Sequence, residues 1–347
     1  MNERLLSLLP TLELPQRIVC GTRAPAVLEI FAEQSVLAVV SSTWQQAHHN
    51  LLATWFGVQV PTIAMHGEPT TDDLARLVAA ASASASKRLL AVGGGSVIDV
   101  AKLAKRTLSV PMVALPTTLG SGAEVSQHAV LLDGMRKTVT SSPGLMPEMV
   151  ILDPSQLASL PREHVLLQSL DALAHALEAM VSRRSHPAAD AFATSAVGIL
   201  IPALRALAQK GISPGVLEQL QLGGVFAGIA QSSAATGLAH AAAHVVGPRA
   251  GLGHAQSVTL FLRDVLRLNA AHTDKYRKLD GTTRLASATL VGELDELYAR
   301  LGVPLPRLGA LGELSALAES VRKDVCAITN PYVATTDEIQ TMIVSHL

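Results

Sequence analysis

The sequence predicts an α/β domain with a parallel sheet, followed by an all-α domain. Short apolar runs alternate with helical patterns through the first 160 residues, and strand signals disappear after Pro161. Three consecutive glycines at 93–95 also stand between an apolar run and a helical pattern, as where a strand turns into a helix. The boundary is predicted near residues 154–162, which gives domains at residues 1–160 and 161–347.

The predicted strands of the first domain are short apolar runs bounded by polar or turn residues. They cover residues 35–40 (SVLAVV), 58–64 (VQVPTIA), 88–92 (RLLAV), 110–115 (VPMVAL) and 149–152 (MVIL). Residues 71–85 have helical spacing. Because neighbouring parallel strands need a crossover connection, strands that alternate with helices favour a parallel sheet.

The second domain is rich in alanine and leucine with helical periodicity. Turns such as Ser213-Pro214-Gly215 divide it into separate helices. This pattern predicts a domain in which helices bury their apolar faces against one another.

The composition excludes several classes of protein. Apolar residues make up 49% and charged residues 16% of the 347 positions, which supports large cores and argues against disorder. The net charge is -1 with no basic block, so no nucleic-acid partner is expected. Two cysteines form no disulfide framework and fit a reducing compartment. The apolar run at 5–9 is too short for a secretory signal, and we expect no transmembrane helix and a cytoplasmic protein.

A glycine loop at residues 91–102 reads AVGGGSVIDVAK. Glycines let the backbone approach a diphosphate closely, and the start of the helix offers unpaired N–H groups. Ser96 is placed to cap the helix or to bond a phosphate oxygen. The alternative is a tight turn with a serine cap, but the strand–loop–helix context favours phosphate binding.

A second polar loop, PTTLGSGAE at residues 116–124, follows the next strand. Hydroxyls and glycines at the end of an α/β strand lie where ligands bind in such sheets. Alone, the segment is typical of an ordinary turn. Two such loops on successive strands favour a binding site.

Carboxylate and imidazole groups are concentrated in the second domain. Asp171 and His175 lie four residues apart in a helical stretch, so they share a face; the alternative is an ion pair on the helix surface. His240 and His244 share another helix face, and His254 follows a Gly/Pro loop; a single such histidine is usually a core residue. Together, Asp oxygen and His nitrogen suit Fe(II) or Zn(II), and the absence of a cysteine pair disfavours a thiolate zinc site.

These motifs together resemble the iron-containing (group III) alcohol dehydrogenases. That family carries a GGGS-x-x-D-x-A-K loop, a PTT-x-G-T-G-S-E-like segment and a D-A-x-x-H-x-x-E helix. It also has an H-x-x-x-H followed by a later histidine. Here they read GGGSVIDVAK at 93–102, PTTLGSGAE at 116–124, DALAHALE at 171–178, and His240, His244 and His254, with Asn330-Pro331 near the end.

The resemblance implies a dinucleotide-binding α/β domain and a helical metal-binding domain. It implies hydride transfer between NAD(P) and an alcohol or aldehyde, with a metal as Lewis acid. The implied metal ligands are Asp171, His175, His240 and His254, and His244 would stand near the nicotinamide as a proton relay. The implied cofactor-binding residues are Gly94, Gly95, Ser96, Asp99, Thr117, Thr118, Ser121 and Lys137.

Related enzymes remain as alternatives. The chain is close in length to the maleylacetate reductases, which typically have Asn where this sequence has Asp171, so the carboxylate argues for a metal. The second loop differs from the family motif at Ser121, where the motif has Thr, and at Ala123, where the motif has Ser. Dehydroquinate-synthase-like lyases need basic residues that the helical half lacks near its histidines. A non-catalytic relative is disfavoured by the complete ligand set.

Two residues bear on specificity. The first predicted strand, residues 35–40, runs into Ser41 without a carboxylate to repel a 2′-phosphate. NADPH should therefore serve at least comparably to NADH, unless Glu68 or another acid reaches the ribose. Arg249 lies in the segment between His244 and His254, and a guanidinium there suits an anionic aldehyde. The alternative turns Arg249 toward solvent or toward a partner subunit of a homodimer or higher homo-oligomer.

Overall fold

The computed structural model describes residues 11–48, 50–134, 136–279 and 289–347, without the side chains of residues 136, 137 and 278. The apolar run at 5–9 therefore lies outside the described residues. The chain divides into two compact units between Leu160 and Pro161. The sheet unit holds residues 13–160, and the helical unit holds residues 161–347 together with residues 11 and 12.

The sheet unit is built on a six-stranded parallel sheet within the described residues, which confirms the predicted fold class. The strand order is β1-β8-β5-β4-β2-β3. The strands are β1 (Arg17–Cys20), β2 (Val36–Ser41), β3 (Thr62–Met65), β4 (Arg88–Gly93), β5 (Met112–Pro116) and β8 (Met149–Leu152). The helices are α1 (Ser42–Ala47), α2 (Leu51–Phe56), α3 (Thr71–Ala83) and α4 (Gly95–Leu108).

The central strands are buried on both faces, as continuous apolar runs predict for a parallel sheet. Alternate residues of β2 enter different cores: Val40 packs with Trp44 and Phe56 on one face, and Val39 packs with helices α3 and α4 on the other. Helix α3 begins at a capping box in which Thr70 and Asp73 bond each other's backbone N–H.

The sequence prediction missed three strands of the sheet unit, β1 and both strands of a hairpin, and it placed the start of β3 too early. The predicted strand at 58–64 is β3, which begins only at Thr62, because Pro61 fixes the preceding backbone. Strand β1 lies at the sheet edge and is largely exposed, so it lacks a buried apolar run. Strands β6 (His128–Asp133) and β7 (Arg136–Ser141) form an antiparallel hairpin rich in polar residues.

The second unit is entirely helical in its described residues, as predicted. Its helices are α5 (Arg162–Val181), α6 (Pro187–Lys210), α7 (Pro214–Ala234), α8 (Leu238–Arg249), α9 (His254–His272), α10 (Leu290–Leu301), α11 (Leu314–Lys323), α12 (Val325–Thr329) and α13 (Thr336–Val344). Helices α5, α6 and α7 pack together, and α8 packs with α9, α11 and α13 around a separate apolar core.

Among the described residues, helix α6 alone is long and apolar enough, by length and composition, to cross a membrane. This differs from the expectation that no stretch would meet that test. Core helices of soluble proteins pass the same test, and α6 packs against α5 and α7. One such helix is a weak indication of a membrane span.

Candidate functional site

Helix α5 carries the first two predicted metal ligands. From Ser169 to Val181 every residue of this helix is buried, so its polar side chains sit in an apolar interior. Asp171 is 4% and His175 6% exposed. An isolated surface ion pair is therefore the wrong interpretation of the pair, since buried polar groups need partners.

The three later histidines lie on two helices. Residues 244–249 continue α8 through Pro248, so the predicted loop between His244 and His254 is only the short turn 250–253. Pro248 has no N–H to donate to the His244 carbonyl, so α8 lacks that one hydrogen bond near its end and continues to Arg249. His254 is the first residue of α9 rather than a loop residue. The two helices approach closely at Gly247, where a side chain would collide with Ser257.

Asp171, His240 and His254 come together in the structure. Asp171 Oδ1 lies 3.5 Å from His240 Nε2 and 3.9 Å from His254 Nε2, and the three ligand atoms lie within 4.8 Å of one another. Asp171 Oδ1 and His240 Nε2 are buried and make no hydrogen bond to any described residue. Ligands about 2.0–2.2 Å from one metal are roughly 3–4 Å apart. The donor set and its spacing therefore fit a divalent ion.

His175 stands beside this cluster rather than within it. Its ring stacks on that of His240 with centroids 4.5 Å apart. Its Nδ1 is buried and has no hydrogen-bond partner among the described residues. Neither ring nitrogen joins the set of atoms within 4.8 Å of one another. The structure thus brings together three of the four predicted ligands and places the fourth next to them.

The charges of the cluster depend on one another. Burial alone would lower the pKa of His240, but the Glu178 and Asp171 carboxylates raise it to about 10. Burial lowers the pKa of His175 to about 4, although Asp171 partly opposes the shift. Burial would raise the pKa of Asp171, but His175, His254 and His240 hold it well below its usual range. The carboxylate is therefore ionised and ready to bind a cation.

Glu178 is a site residue that sequence reasoning missed. Its carboxylate accepts the backbone N–H groups of Gly237 at 2.9 Å and Ala239 at 2.6 Å, and it lies 2.6 Å from His240 Nδ1. The residue is 2% exposed. Its position seven residues after Asp171 and three after His175, on one helix face, was the available signal.

His244 lies at the exposed edge of the cluster, next to two further residues that sequence reasoning missed. Its Nδ1 is 3.3 Å from Asp324 Oδ2 and 4.0 Å from Cys326 Sγ, and its ring stacks on that of His254. Burial raises the pKa of the Cys326 thiol to about 12. The Asp324 carboxylate therefore holds one nitrogen of His244, while the thiol stays protonated.

Arg249 is not directed into the cluster. It is exposed, and its Nη1 donates a hydrogen bond to the Val245 carbonyl at 2.8 Å, in the last turn of α8. A cation there satisfies a terminal carbonyl and interacts favourably with the helix dipole. The contact favours the solvent-facing alternative over the substrate contact.

The glycine loop joins β4 to α4 as predicted. Gly94 is the N-cap of α4, with no side-chain hydrogen bond, and Ser96 lies within the helix. Ser96 therefore does not cap the helix, which leaves phosphate binding as its remaining predicted role. The N–H groups of Val97 and Ile98 donate to the Gly94 carbonyl, so the groups at the start of α4 that suit an anion are the N–H groups of Gly95 and Ser96.

The two polar loops touch each other at the carboxyl ends of β4 and β5. A Cβ on Gly94 would lie 2.9 Å from Thr118 Oγ1, and one on Gly95 would lie 3.1 Å from the Ser121 Cβ. Thr117 is buried, and its N–H donates to the Gly93 carbonyl at 3.0 Å. Only glycine leaves room between the hydroxyls and the helix start, so this cradle fits a diphosphate.

The remaining predicted cofactor residues differ in position. Ser41 ends β2 at the same edge of the sheet, and its Oγ lies 2.8 Å from Thr43 Oγ1. Asp99 faces the hairpin: Val130 N–H donates to its Oδ2 at 3.0 Å, and Lys102 lies 3.6 Å away. These contacts favour a structural role for Asp99 over the predicted cofactor contact. Lys137 lies on β7, but its side chain is outside the described part.

Comparison with known proteins agrees with this architecture. Residues 15–154 match the iron-containing alcohol dehydrogenase profile, and residues 166–347 match the C-terminal profile of the Fe-containing alcohol dehydrogenase family. The probable alcohol dehydrogenase EutG of Salmonella typhimurium is 31% identical over 79% of this chain and 76% of its own. Lactaldehyde reductase of Escherichia coli is 30% identical over 74% and 76%. An iron-containing alcohol dehydrogenase structure from Thermococcus thioreducens is 25% identical, with a TM-score of 0.86, over 97% and 99%.

The parallel-sheet unit with its paired loops and the helical unit with its Asp/His cluster match the two profiles of the metal-dependent, iron-containing alcohol dehydrogenases. The chain belongs to the iron-containing alcohol dehydrogenase family. It is an oxidoreductase that acts on CH–OH groups. The cofactors of this family are NAD(P) and a divalent metal, usually iron.

Proposed function

We propose that this protein is an NAD(P)-linked alcohol dehydrogenase or aldehyde reductase for a small aldehyde or alcohol, with Asp171, His175, His240 and His254 as metal ligands. The observation that supports it most is the convergence of Asp171, His240 and His254. Two of their buried ligand atoms have no hydrogen-bond partner in the described part of the chain. Such atoms are costly to bury unless an ion binds them.

When bound, the metal supplies Lewis acidity toward the substrate oxygen and the nicotinamide exchanges hydride with the substrate carbon. Asp171 provides the anionic ligand, and the buried walls of α5 and α8 exclude water from that side of the site. His244, with 40% of its side chain exposed and Asp324 on Nδ1, is placed to pass a proton between the site and solvent. The paired loops around Gly94 and Thr118 would bind the pyrophosphate.

The cofactor preference follows from the end of β2. Residues 41–47 contain hydroxyl, amide and aromatic side chains but no carboxylate. A carboxylate there would repel a 2′-phosphate. We therefore expect NADPH to be used at least comparably to NADH. A preference for NADH of more than about a hundredfold in kcat/KM, or roughly 2.7 kcal/mol, would contradict this expectation.

The experiment that tests the proposal is NADPH and NADH oxidation with a panel of neutral and anionic aldehydes, with Fe(II) or Zn(II) added under anaerobic conditions. We expect metal-dependent turnover of at least one small aldehyde. Metal-independent reduction of a maleylacetate-type substrate would instead favour the maleylacetate reductases. Nucleotide binding without any turnover would favour a lyase or a non-catalytic relative. A cytoplasmic location and a homo-oligomeric state are part of this proposal and are tested separately, by fractionation and light scattering.

A further inference from the structure

The buried carboxylate of Glu178 binds both the start of a helix and a metal-site histidine. Gly237 is the N-cap of α8, and Glu178 accepts the N–H groups of Gly237 and Ala239. Leu238 N–H donates to Asn330 Oδ1 at 3.3 Å. Side chains from elsewhere in the helical unit thus satisfy three successive N–H groups, which fixes the start of α8 two residues before His240.

The same carboxylate determines which nitrogen of His240 is available. Glu178 Oε2 lies 2.6 Å from His240 Nδ1, a charge-assisted hydrogen bond in which the ring nitrogen donates. A neutral imidazole that carries its proton on Nδ1 has its lone pair on Nε2. Nε2 is the atom that faces Asp171 Oδ1 at 3.5 Å and has no hydrogen bond to the described residues.

We propose that Glu178 is the positioning residue that commits His240 to bind the metal through Nε2. Its carboxylate accepts the hydrogen on Nδ1 and fixes the ring plane, and it increases the electron density that Nε2 offers to a divalent first-row ion. Glu178 does not touch the substrate and acts only through His240. The inference rests on the proposed metal site.

The close packing around Glu178 requires a small residue at position 237. A Cβ on Gly237 would lie 3.0 Å from Glu178 Oε1 and 2.8 Å from Asn330 Oδ1. Glycine therefore lets the backbone N–H groups reach the carboxylate directly. The direct contacts of Gly237 N–H, Ala239 N–H and His240 Nδ1 with Glu178, at 2.9, 2.6 and 2.6 Å, hold the carboxylate in one orientation toward His240.

Glutamine at position 178 tests the inference because it keeps the shape and reverses the hydrogen bond. Gly237 N–H and His240 Nδ1 share Oε2 of Glu178, whereas Ala239 N–H donates to Oε1. In Glu178→Gln, an amide oxygen at the Oε1 position keeps the Ala239 bond and sets the NH₂ against His240 Nδ1, so that Nδ1 has to accept, the ring proton moves to Nε2, and Nε2 no longer offers a lone pair to the metal. The reverse orientation keeps an oxygen at His240 but replaces the carboxylate by a neutral amide and sets the NH₂ against the Ala239 N–H. Glu178→Asp keeps the carboxylate but is one methylene shorter.

The measurement is the Zn(II) dissociation constant of the full-length protein, by competition with a chromophoric chelator, together with the melting temperature of the metal-free protein. We expect Glu178→Gln to weaken Zn(II) binding about 10- to 100-fold, and Glu178→Asp to weaken it less. The matched control is Glu293→Gln, because Glu293 is equally buried but pairs with Arg205 on α6. The control should bind Zn(II) within twofold of wild type.

Several results would overturn the inference. Wild-type affinity in Glu178→Gln, or weaker binding in the aspartate than in the glutamine variant, would show that only shape matters at this position. If Zn(II) affinity fell only in variants whose metal-free form also melts at a lower temperature, the role of Glu178 would be limited to capping the start of α8. A wild-type protein that binds no Zn(II) would instead overturn the proposed metal site itself.

A second measurement reads the protonation of His240 in the wild-type protein itself. In zinc-loaded wild-type protein with ¹⁵N-labelled histidines, NMR should show His240 protonated at Nδ1 and coordinated at Nε2. His240→Gln assigns the signal by its loss. Coordination through Nδ1 would overturn the inference.

Discussion

Two of the candidate metal ligands, Asp171 and His254, differ in solvent exposure. Asp171 is buried in α5, whereas 47% of the His254 side chain is exposed at the start of α9. An ion bound by both would be anchored from the core and reached from the surface of the helical unit. The buried carboxylate supplies charge, and the exposed imidazole is the residue that an entering ion meets first.

Substituting either ligand should therefore remove the metal. We expect Asp171→Ala and His254→Ala each to lose bound metal and activity, because each deletes one of three converging ligand atoms. Metal content by elemental analysis and NADPH turnover measure the two effects. Asp274→Ala, at an exposed carboxylate that pairs with Arg277, is the matched control and should keep both. Full metal occupancy and full rate in either ligand variant would refute the assignment.

The expectation of an anionic aldehyde substrate depends on Arg249. Because its guanidinium bonds the Val245 carbonyl of its own helix, we expect Arg249→Ala to change KM for an anionic and a neutral aldehyde of similar size alike, by less than about threefold, roughly 0.6 kcal/mol. Arg300→Ala, which breaks another exposed contact within one helix, is the control. A selective rise of KM for the anionic aldehyde would instead place Arg249 at the substrate.

At the scale of elements, helix α4 links the nucleotide loops to the β6–β7 hairpin. The fully buried Lys102 donates to Ser126 Oγ at 3.1 Å and to the His128 carbonyl at 2.6 Å. Asp99 on the preceding turn accepts Val130 N–H. The D-x-A-K part of the glycine motif thus holds the hairpin, while the glycines at its start form the cradle.

The cradle predicts a specific effect of one methyl group. In Gly94→Ala the new Cβ would lie 2.9 Å from Thr118 Oγ1 and fill the space above the start of α4. We expect the dissociation constant for NADPH to rise at least tenfold, about 1.4 kcal/mol, while Zn(II) affinity is unchanged. Gly144→Ala is the control in the same unit, since its Cβ would meet only Ser142 Oγ at an ordinary 3.6 Å. NADPH titration by fluorescence measures the effect, and unchanged affinity would remove Gly94 from the cofactor site.

For the whole molecule, sequence reasoning succeeded where the pattern is local. The β4–glycine–α4 connection and the helical character of the second half follow from apolar periodicity and glycine placement. It missed the hairpin, although β6 contains an apolar run at residues 129–132. It also failed at residues 244–249, where Gly247-Pro248 indicates a loop although α8 continues. Glu178 offered only its spacing on the face of α5 as a signal, and Asp324 offered none. Their roles depend on His240 and His244, which lie 62 and 80 positions away in sequence.

The division into two units predicts that the two cofactors can be removed independently. The paired loops around Gly94 and Thr118 belong to the sheet unit, and Asp171, His240 and His254 belong to the helical unit.

Chelation of the metal should therefore abolish turnover but leave NADPH binding intact. Both tryptophans of the chain, Trp44 and Trp55, lie in the sheet unit, with Trp44 three residues after the end of β2. Energy transfer from tryptophan to bound NADPH then reports nucleotide binding without any contribution from the helical unit. We expect the NADPH dissociation constant to stay within threefold after chelation and activity to return when Fe(II) is added anaerobically. Loss of the fluorescence signal together with activity would show that the metal is needed to form the nucleotide site, because the two sites would then be coupled rather than held by separate units.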